Sequence, residues 1–162
     1  MPIDRVRRYL ARWNKETAVQ EFTASSATVA EAAAVLGVEE ARIAKSLAFR
    51  AADGGAVMIV AAGDAKVDNR AFKSFFGLKA KMLSPEETIT YTSHAIGGVC
   101  PFDVPSETRV YLDVSLKRFE TIFPACGTAH SAIELTCEEL ETCSEAVGWV
   151  DVCKNWRTED TP

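Results

Sequence analysis

The sequence predicts an α+β fold organised around a mixed β-sheet. Helical and strand-like patterns interleave along the chain without the regular alternation of a doubly wound parallel sheet. Two apolar runs, residues 46–50 and 56–62, flank Asp53-Gly54-Gly55, a hairpin signal that requires at least one antiparallel pair. Three capping-box patterns, at Thr28, Ser84 and Thr136, mark helix starts between the strand-like runs. A chain of 162 residues buries roughly 70% of the surface its unfolded form exposes, enough for one core without disulfides or metal.

Each element has its own local reason. Ile3, Val6, Leu10 and Trp13 recur at helical spacing with Arg5, Arg7, Arg8 and Arg12 between them, which predicts an amphipathic first helix. Residues 17–22 suggest a short strand. Thr28-Val29-Ala30-Glu31 opens a second helix that stops at Gly37, and residues 39–44 suggest a short third one. After the hairpin, residues 68–76 form a helix ended by Gly77, and residues 78–83 a strand. Ser84-Pro85-Glu86-Glu87 starts a helix with proline at its favoured first position. Residues 92–106 hold Gly97, Gly98, Pro101 and Pro105 and show no periodicity, so they form a loop. Strands follow at 110–114 and near 121–123, with a helical turn at 115–118 between them. Residues 131–135 are a strand, Thr136-Cys137-Glu138-Glu139 opens a helix running to about 146, and residues 149–153 close the sheet. Residues 1–156 are expected to form a single domain, with 157–162 a frayed tail.

Composition narrows the function classes. The longest apolar runs fall far short of the ~20 residues of a membrane span. Met1-Pro2-Ile3-Asp4-Arg5 leads straight into the first helix without a secretory pattern, so a cytoplasmic protein is expected. The five cysteines form no C-x-x-C pair, and with only two histidines no zinc site of the usual spacing can be drawn; free thiols in a reducing compartment are expected. Neither a P-loop nor a dinucleotide-binding glycine pattern is present. The net charge of −5 argues against a nucleic-acid partner, but it averages over a segregated chain. Residues 1–41 carry a net −1, residues 42–81 a net +5 and residues 82–162 a net −9. The basic block includes Arg42, Lys45, Lys66, Arg70 and Lys73, and its helix at 68–76 interleaves those cations with Phe72, Phe75 and Phe76. It is either a solvated face or a surface that steers a phosphate-bearing partner.

Several residues are candidates for chemistry. Lys45, in Ile43-Ala44-Lys45-Ser46-Leu47 at a helix-to-strand junction, either snorkels to the rim or supplies a fixed cation for a phosphate or carbonyl. Gly97-Gly98-Val99-Cys100-Pro101 is either a turn or a loop whose backbone N–H groups approach an oxyanion. Thr128, His130 and Ser131 offer small hydrogen-bonding groups, with His130 a base or a rim residue. Cys126 with His130, or Cys100 with His94, would make a thiol nucleophile and base only if the fold brought them together.

Taken in order, Ser25-Ser26-Ala27-Thr28-Val29-Ala30-Glu31, Leu36-Gly37-Val38, Ile43-Ala44-Lys45-Ser46-Leu47, Val60-Ala61-Ala62-Gly63-Asp64, Gly97-Gly98-Val99-Cys100-Pro101-Phe102, Tyr111-Leu112-Asp113 and Ser131-Ala132-Ile133-Glu134-Leu135 resemble the YbaK/EbsC family. These are free-standing relatives of the editing insertion domain of bacterial prolyl-tRNA synthetases, and the likeness spans about residues 3–153. It implies a strongly curved mixed sheet surrounded by helices. It also implies a trans-acting hydrolase that deacylates mischarged aminoacyl-tRNA, often on the proline tRNA, by recognising the 3′ acceptor end. Lys45 matches the family's pocket lysine, and Gly97 and Pro101 match its G-x-x-x-P loop. By that likeness Lys45, Gly97 and Gly98 carry the catalysis. Ser26, Val99, Cys100, Pro101, Thr128 and His130 line the substrate pocket, and Arg42, Lys66, Arg70 and Lys73 meet the tRNA. No cofactor and no metal are implied. A non-catalytic tRNA- or protein-binding module, or a small-molecule esterase or amidase on the same scaffold, are the competing readings.

Overall fold

The computed structural model describes residues 2–157. Helix α1 (Pro2–Leu10) buries Ile3, Val6 and Leu10, the stripe that its spacing predicts, and is followed by a helical turn over Ala11–Trp13. A two-residue strand β1 (Gln20–Glu21) precedes α2 (Val29–Leu36). The Thr28 side chain caps α2 reciprocally with Glu31, and Gly37 ends it in the left-handed region at φ 70°. Strands β2 (Ile43–Arg50) and β3 (Ala56–Ala62) form the antiparallel hairpin. Then come β4 (Lys66–Val67), α3 (Asn69–Phe76, capped by Asp68) and α4 (Pro85–Thr92, capped by Ser84). The second half holds β5 (Thr108–Asp113), β6 (Thr121–Pro124), β7 (Ser131–Ala132), β8 (Leu135–Thr136), α5 (Cys137–Ser144), β9 (Gly148–Val150) and β10 (Cys153–Lys154).

Six strands make one strongly curled mixed sheet in the order β8-β6-β2-β3-β5-β9. The β2/β3 and β6/β8 pairs are antiparallel, while β2/β6, β3/β5 and β5/β9 are parallel. Two small antiparallel ladders, β1/β7 and β4/β10, are separate from it. All seven residues of β3 are buried, as expected for a central strand covered on both faces. Met58, Ile59, Leu112, Ile122, Phe72 and Phe102 are fully enclosed, each contributing about 1.5–3 kcal/mol by burial. Asp113 is also fully buried, and its carboxylate accepts from the N–H groups of Ser115 and Val152, both at 3.0 Å. It thereby ties β5 to the segment between β9 and β10.

Four expectations are corrected by long-range pairing. Residues 39–44 are not a helix. Only Glu40–Arg42 make a helical turn, and Ile43 and Ala44 are drawn into β2 by pairing with Phe123 and Pro124. Lys45 therefore stands inside a strand rather than at a junction. Residues 78–83 form no strand. They lie along β2 as a strap, with one bridge from Met82 to Phe49. The run 131–135 splits, because β7 pairs with β1 and β8 with β6. The run 149–153 splits the same way between β5 and β4. Helix α5 stops at Ser144, with Glu145 left-handed at φ 52°. Of the expected tail, residues 158–162 lie outside the described residues, and Arg157 pairs with Asp151 at 2.7 Å.

Candidate active site

Strand β2 has β3 on one side from Ala44 to Arg50, but β6 on the other side only at Ile43 and Ala44. Where β6 diverges, a cavity of about 320 Å³ opens. Ile43 to Ala48 of β2 form its floor. Ser26, Thr28 and Val29 at the start of α2 make one wall, Ile96, Gly97 and Val99 another, and Leu83, Phe123 and Ala125 complete it. The lining is mostly apolar and includes no carboxylate; Lys45 is its one charged residue.

The Lys45 ammonium donates to the carbonyls of Gly63, at 3.3 Å, and Ala65, at the turn where β3 gives way to β4. Burial lowers its pKa from 10.5, and Cys153 and Asp64 oppose that shift. An ammonium has three donors, so two carbonyls leave one for a ligand. The cation is anchored rather than snorkelling. Ser26 joins two walls of the site: its N–H and hydroxyl donate to Ala129 O at 2.6 and 3.1 Å, and its hydroxyl accepts from Ser131 N–H at 3.2 Å.

The glycine pair divides its work. Gly97 lines the cavity at φ +98°, a conformation that favours glycine. Gly98 does not line it. A Cβ there would stand 2.6 Å from the Gly127 carbonyl group and from Thr128 N, so Gly98 lets two loop backbones touch. Its N–H donates to Ala95 O at 3.0 Å and is not offered to an oxyanion. Val99 lines the cavity, whereas Cys100 and Pro101 are buried behind it.

His94 and Cys100 do meet, with Nε2 and Sγ at 3.3 Å, but as a neutral buried pair. Burial pushes the Cys100 thiol up to about 12 and lowers His94 from 6.5. The His94 ring is held by the Phe102 carbonyl at 2.8 Å and by Arg5 at 3.4 Å. A thiol so far from ionisation is no nucleophile at neutral pH. Cys126 is likewise raised by burial. All five cysteines are free.

Thr128 and His130 stand behind the wall rather than on it. The Thr128 hydroxyl donates to Ser131 Oγ at 3.0 Å, and the exposed His130 lies with Nδ1 3.0 Å from Ala24 O. Arg42 braces the site from outside. Its guanidinium reaches Thr121 and Glu134 and lies 5.0 Å from the centre of the Phe123 ring, which forms cavity wall. Lys66, Arg70 and Lys73 are exposed, and Lys154 stands opposite Lys66 in the β4/β10 ladder. These cations sit on β4 and α3, which follow the turn that anchors Lys45, and on β10, which pairs with β4.

Sequence reasoning missed Ser46, Leu83, Thr88, Phe123 and Ala125 as cavity residues. Most carry no local signal, because they reach the site through neighbours distant in sequence. The exception is Ser46, adjacent to the suspected lysine, whose hydroxyl is buried without a hydrogen-bond partner among the described residues.

A family model described as an aminoacyl-tRNA editing domain matches residues 23–143, the span from the first cavity wall through α5. A Bacillus subtilis (strain 168) protein, "Uncharacterized protein YwhH", is 54% identical over 156 residues, covering 96% of this chain and 99% of its own. A solved structure described as "a putative trans-editing enzyme for prolyl tRNA synthetase" is 30% identical with a TM-score of 0.84, over 93% of this chain and 96% of that one. The crystal structure of "hypothetical protein APE2540" is 27% identical with a TM-score of 0.78, over 90% and 99% of the two chains. The curled six-stranded sheet, the cavity beside β2 and the matched span agree: this chain belongs to the aminoacyl-tRNA editing domain family.

Proposed function

We propose that the protein is a trans-acting editing hydrolase that cleaves the ester between a wrong amino acid and the terminal ribose of a tRNA, with the proline tRNA as carrier. The observation that carries this reading is the anchored cation, Lys45, in an apolar, carboxylate-free cavity of an editing-domain fold. The ester is already activated, so the site has three tasks: to bind the 3′ end, to polarise the carbonyl and to admit a nucleophile. Water attacks the acyl carbon, the bond from that carbon to the ribose oxygen breaks, the ribose oxygen takes up the proton that the water gives up, and free amino acid leaves; a hydroxyl of the substrate can relay that proton. No thiol of the chain is needed, in keeping with the burial that raises the pKa of every cysteine.

Lys45 serves this chemistry with its remaining donor, to the carbonyl oxygen or to the terminal phosphate. The apolar lining suits a small apolar side chain. One methylene is worth only about 1–3 kcal/mol in such a pocket, so a synthetase rejects near-isosteric amino acids poorly by packing alone, and a separate editing enzyme removes those it mischarges. The basic rim of Lys66, Arg70 and Lys73 supports the acceptor stem.

The test is acyl release from a panel of tRNAs charged with cognate and non-cognate amino acids. Release from mischarged proline tRNA, with correctly charged tRNA spared, is the expected outcome. Binding without release from any member would make the chain a non-catalytic module. Equal turnover of amino-acid methyl esters without tRNA would make it a small-molecule esterase.

A further inference from the structure

The outer edge of β2 has a gap one residue long. The Ala51 N–H bonds the Gly55 carbonyl at 3.0 Å and the ladder pairs Arg50 with Ala56. That phase turns the peptide groups of residues 45, 47 and 49 toward β3, and those of 44, 46, 48 and 50 toward the cavity side. Three of these four have partners there. Ala44 pairs with β6 opposite Pro124. The Ala48 carbonyl accepts from Leu83 N–H at 3.1 Å, and the Arg50 N–H donates to Lys81 O at 2.9 Å. Only Ser46, among the described residues, has neither a strand nor the strap beside it. Its N–H and C=O point between Ala125 and Leu83, both cavity walls. Its hydroxyl is buried and unpartnered as well.

An aminoacyl ester carries an amine donor and a carbonyl acceptor on either side of one Cα, the spacing of one residue in a strand. Peptides commonly bind by completing an exposed sheet edge. The cavity offers no carboxylate to an α-ammonium, and its one charged side chain is a cation. Neutral acceptors must therefore hold the amine.

We propose that the aminoacyl unit completes the β2 edge at Ser46, whose N–H donates to the acyl carbonyl oxygen and whose C=O accepts from the α-amine. This rests on the hydrolase reading of the same cavity. It gives Ser46 N–H the polarising role that the Gly98 N–H, already bonded, does not fill. It also makes a free α-amine a condition of binding, so the site distinguishes aminoacyl from N-acylated or peptidyl esters.

The probe is 3′-(alanylamino)-3′-deoxyadenosine, which cannot be hydrolysed as an ester, compared with its N-acetyl and propionyl (amine-free) analogues on the ¹⁵N-labelled protein. The alanyl compound is expected to shift the Ser46 amide resonance downfield and to bind at least about tenfold more tightly than either analogue, the scale of one hydrogen bond to a charged group. Equal affinities, or an unmoved Ser46 amide, overturn the proposal. Ser46→Ala keeps the backbone and is expected to keep the amine preference; loss of that preference would assign the interaction to the hydroxyl and overturn the backbone assignment. Rates on alanyl-tRNA and N-acetylalanyl-tRNA separate the two readings. Release from both at one rate keeps the hydrolase and overturns the edge. Amine-dependent binding without release from either keeps the edge and overturns the hydrolase.

Discussion

His94 shows how one residue ties the pocket loop to the rest of the chain. Its ring bonds Phe102 O and packs on Cys100, so the two ends of the loop over 94–102 are pinned together. Arg5 of α1 reaches both Nδ1 of that ring and the Ser93 carbonyl, and pairs with Asp103 at 2.9 Å. Burial, with Arg5 adding to it, lowers the His94 pKa from 6.5, while the Phe102 carbonyl and Asp103 pull it back. A base with a lowered folded pKa leaves the folded state binding fewer protons than the unfolded one. Its contribution to stability is therefore complete above 6.5 and is lost as pH falls below 6.5 toward the folded value. Urea midpoints should fall on acidification from about pH 7.5 to about pH 5.5. His94→Gln, which keeps a donor for Phe102 O, should flatten that decline; an equally steep decline in the variant would rule out His94 as its source.

At the scale of elements, the sequence is most legible where structure is local. The capping boxes at Thr28, Ser84 and Thr136 all form as reciprocal pairs, because the signal and the structure lie within four residues. The hairpin of β2 and β3 is of the same kind. The strap at 78–83 and the short strands at 131–136 depart from their local patterns because their state is set by partners far along the chain. The site divides the same way. Lys45 and Gly97 stand out from their neighbourhoods, while the cavity is a gap between β2 and β6 that no local pattern encodes. Thr128 and His130 are close in sequence to the wall but turn to support it from behind. Gly98 is the element-scale test of that packing. In Gly98→Ala the added methyl has backbone within 2.6 Å, where no side-chain rotation relieves it. The variant should lose about 1–3 kcal/mol of stability, the usual cost of overpacking, seen as a lower urea midpoint, and acyl release should fall with the displaced loop. A fully stable, fully active Gly98→Ala would show that the two loops do not need to touch.

Over the whole molecule, the net charge of −5 misdescribes the surface. Several cations of the basic middle segment are spent internally: Lys45 on backbone carbonyls, Arg42 on Thr121 and Glu134, Arg50 on Glu87 at 2.7 Å. Lys66, Arg70 and Lys73 remain exposed, joined by Lys154 from the acidic C-terminal part. A local cationic rim on an acidic body suits a brief phosphate interaction that salt weakens. Arg70→Glu with Lys73→Glu should raise KM for charged tRNA with kcat nearly unchanged. The slope of log affinity against log salt should become shallower by about one for each phosphate that is no longer neutralised. An unchanged slope would place the tRNA elsewhere on the surface.

The cavity beside β2 is proposed to remove amino acids from tRNA with Lys45 as its fixed cation. The decisive experiment is a time course of acyl release from mischarged proline tRNA, run with the wild-type chain and with Lys45→Ala at matched folded concentration. Rapid release is predicted for the wild type, and a loss of at least about 10²-fold for the variant, the scale of removing one electrostatic donor from a desolvated site, with the melting curve little changed. Release by folded Lys45→Ala at the wild-type rate would contradict the claim.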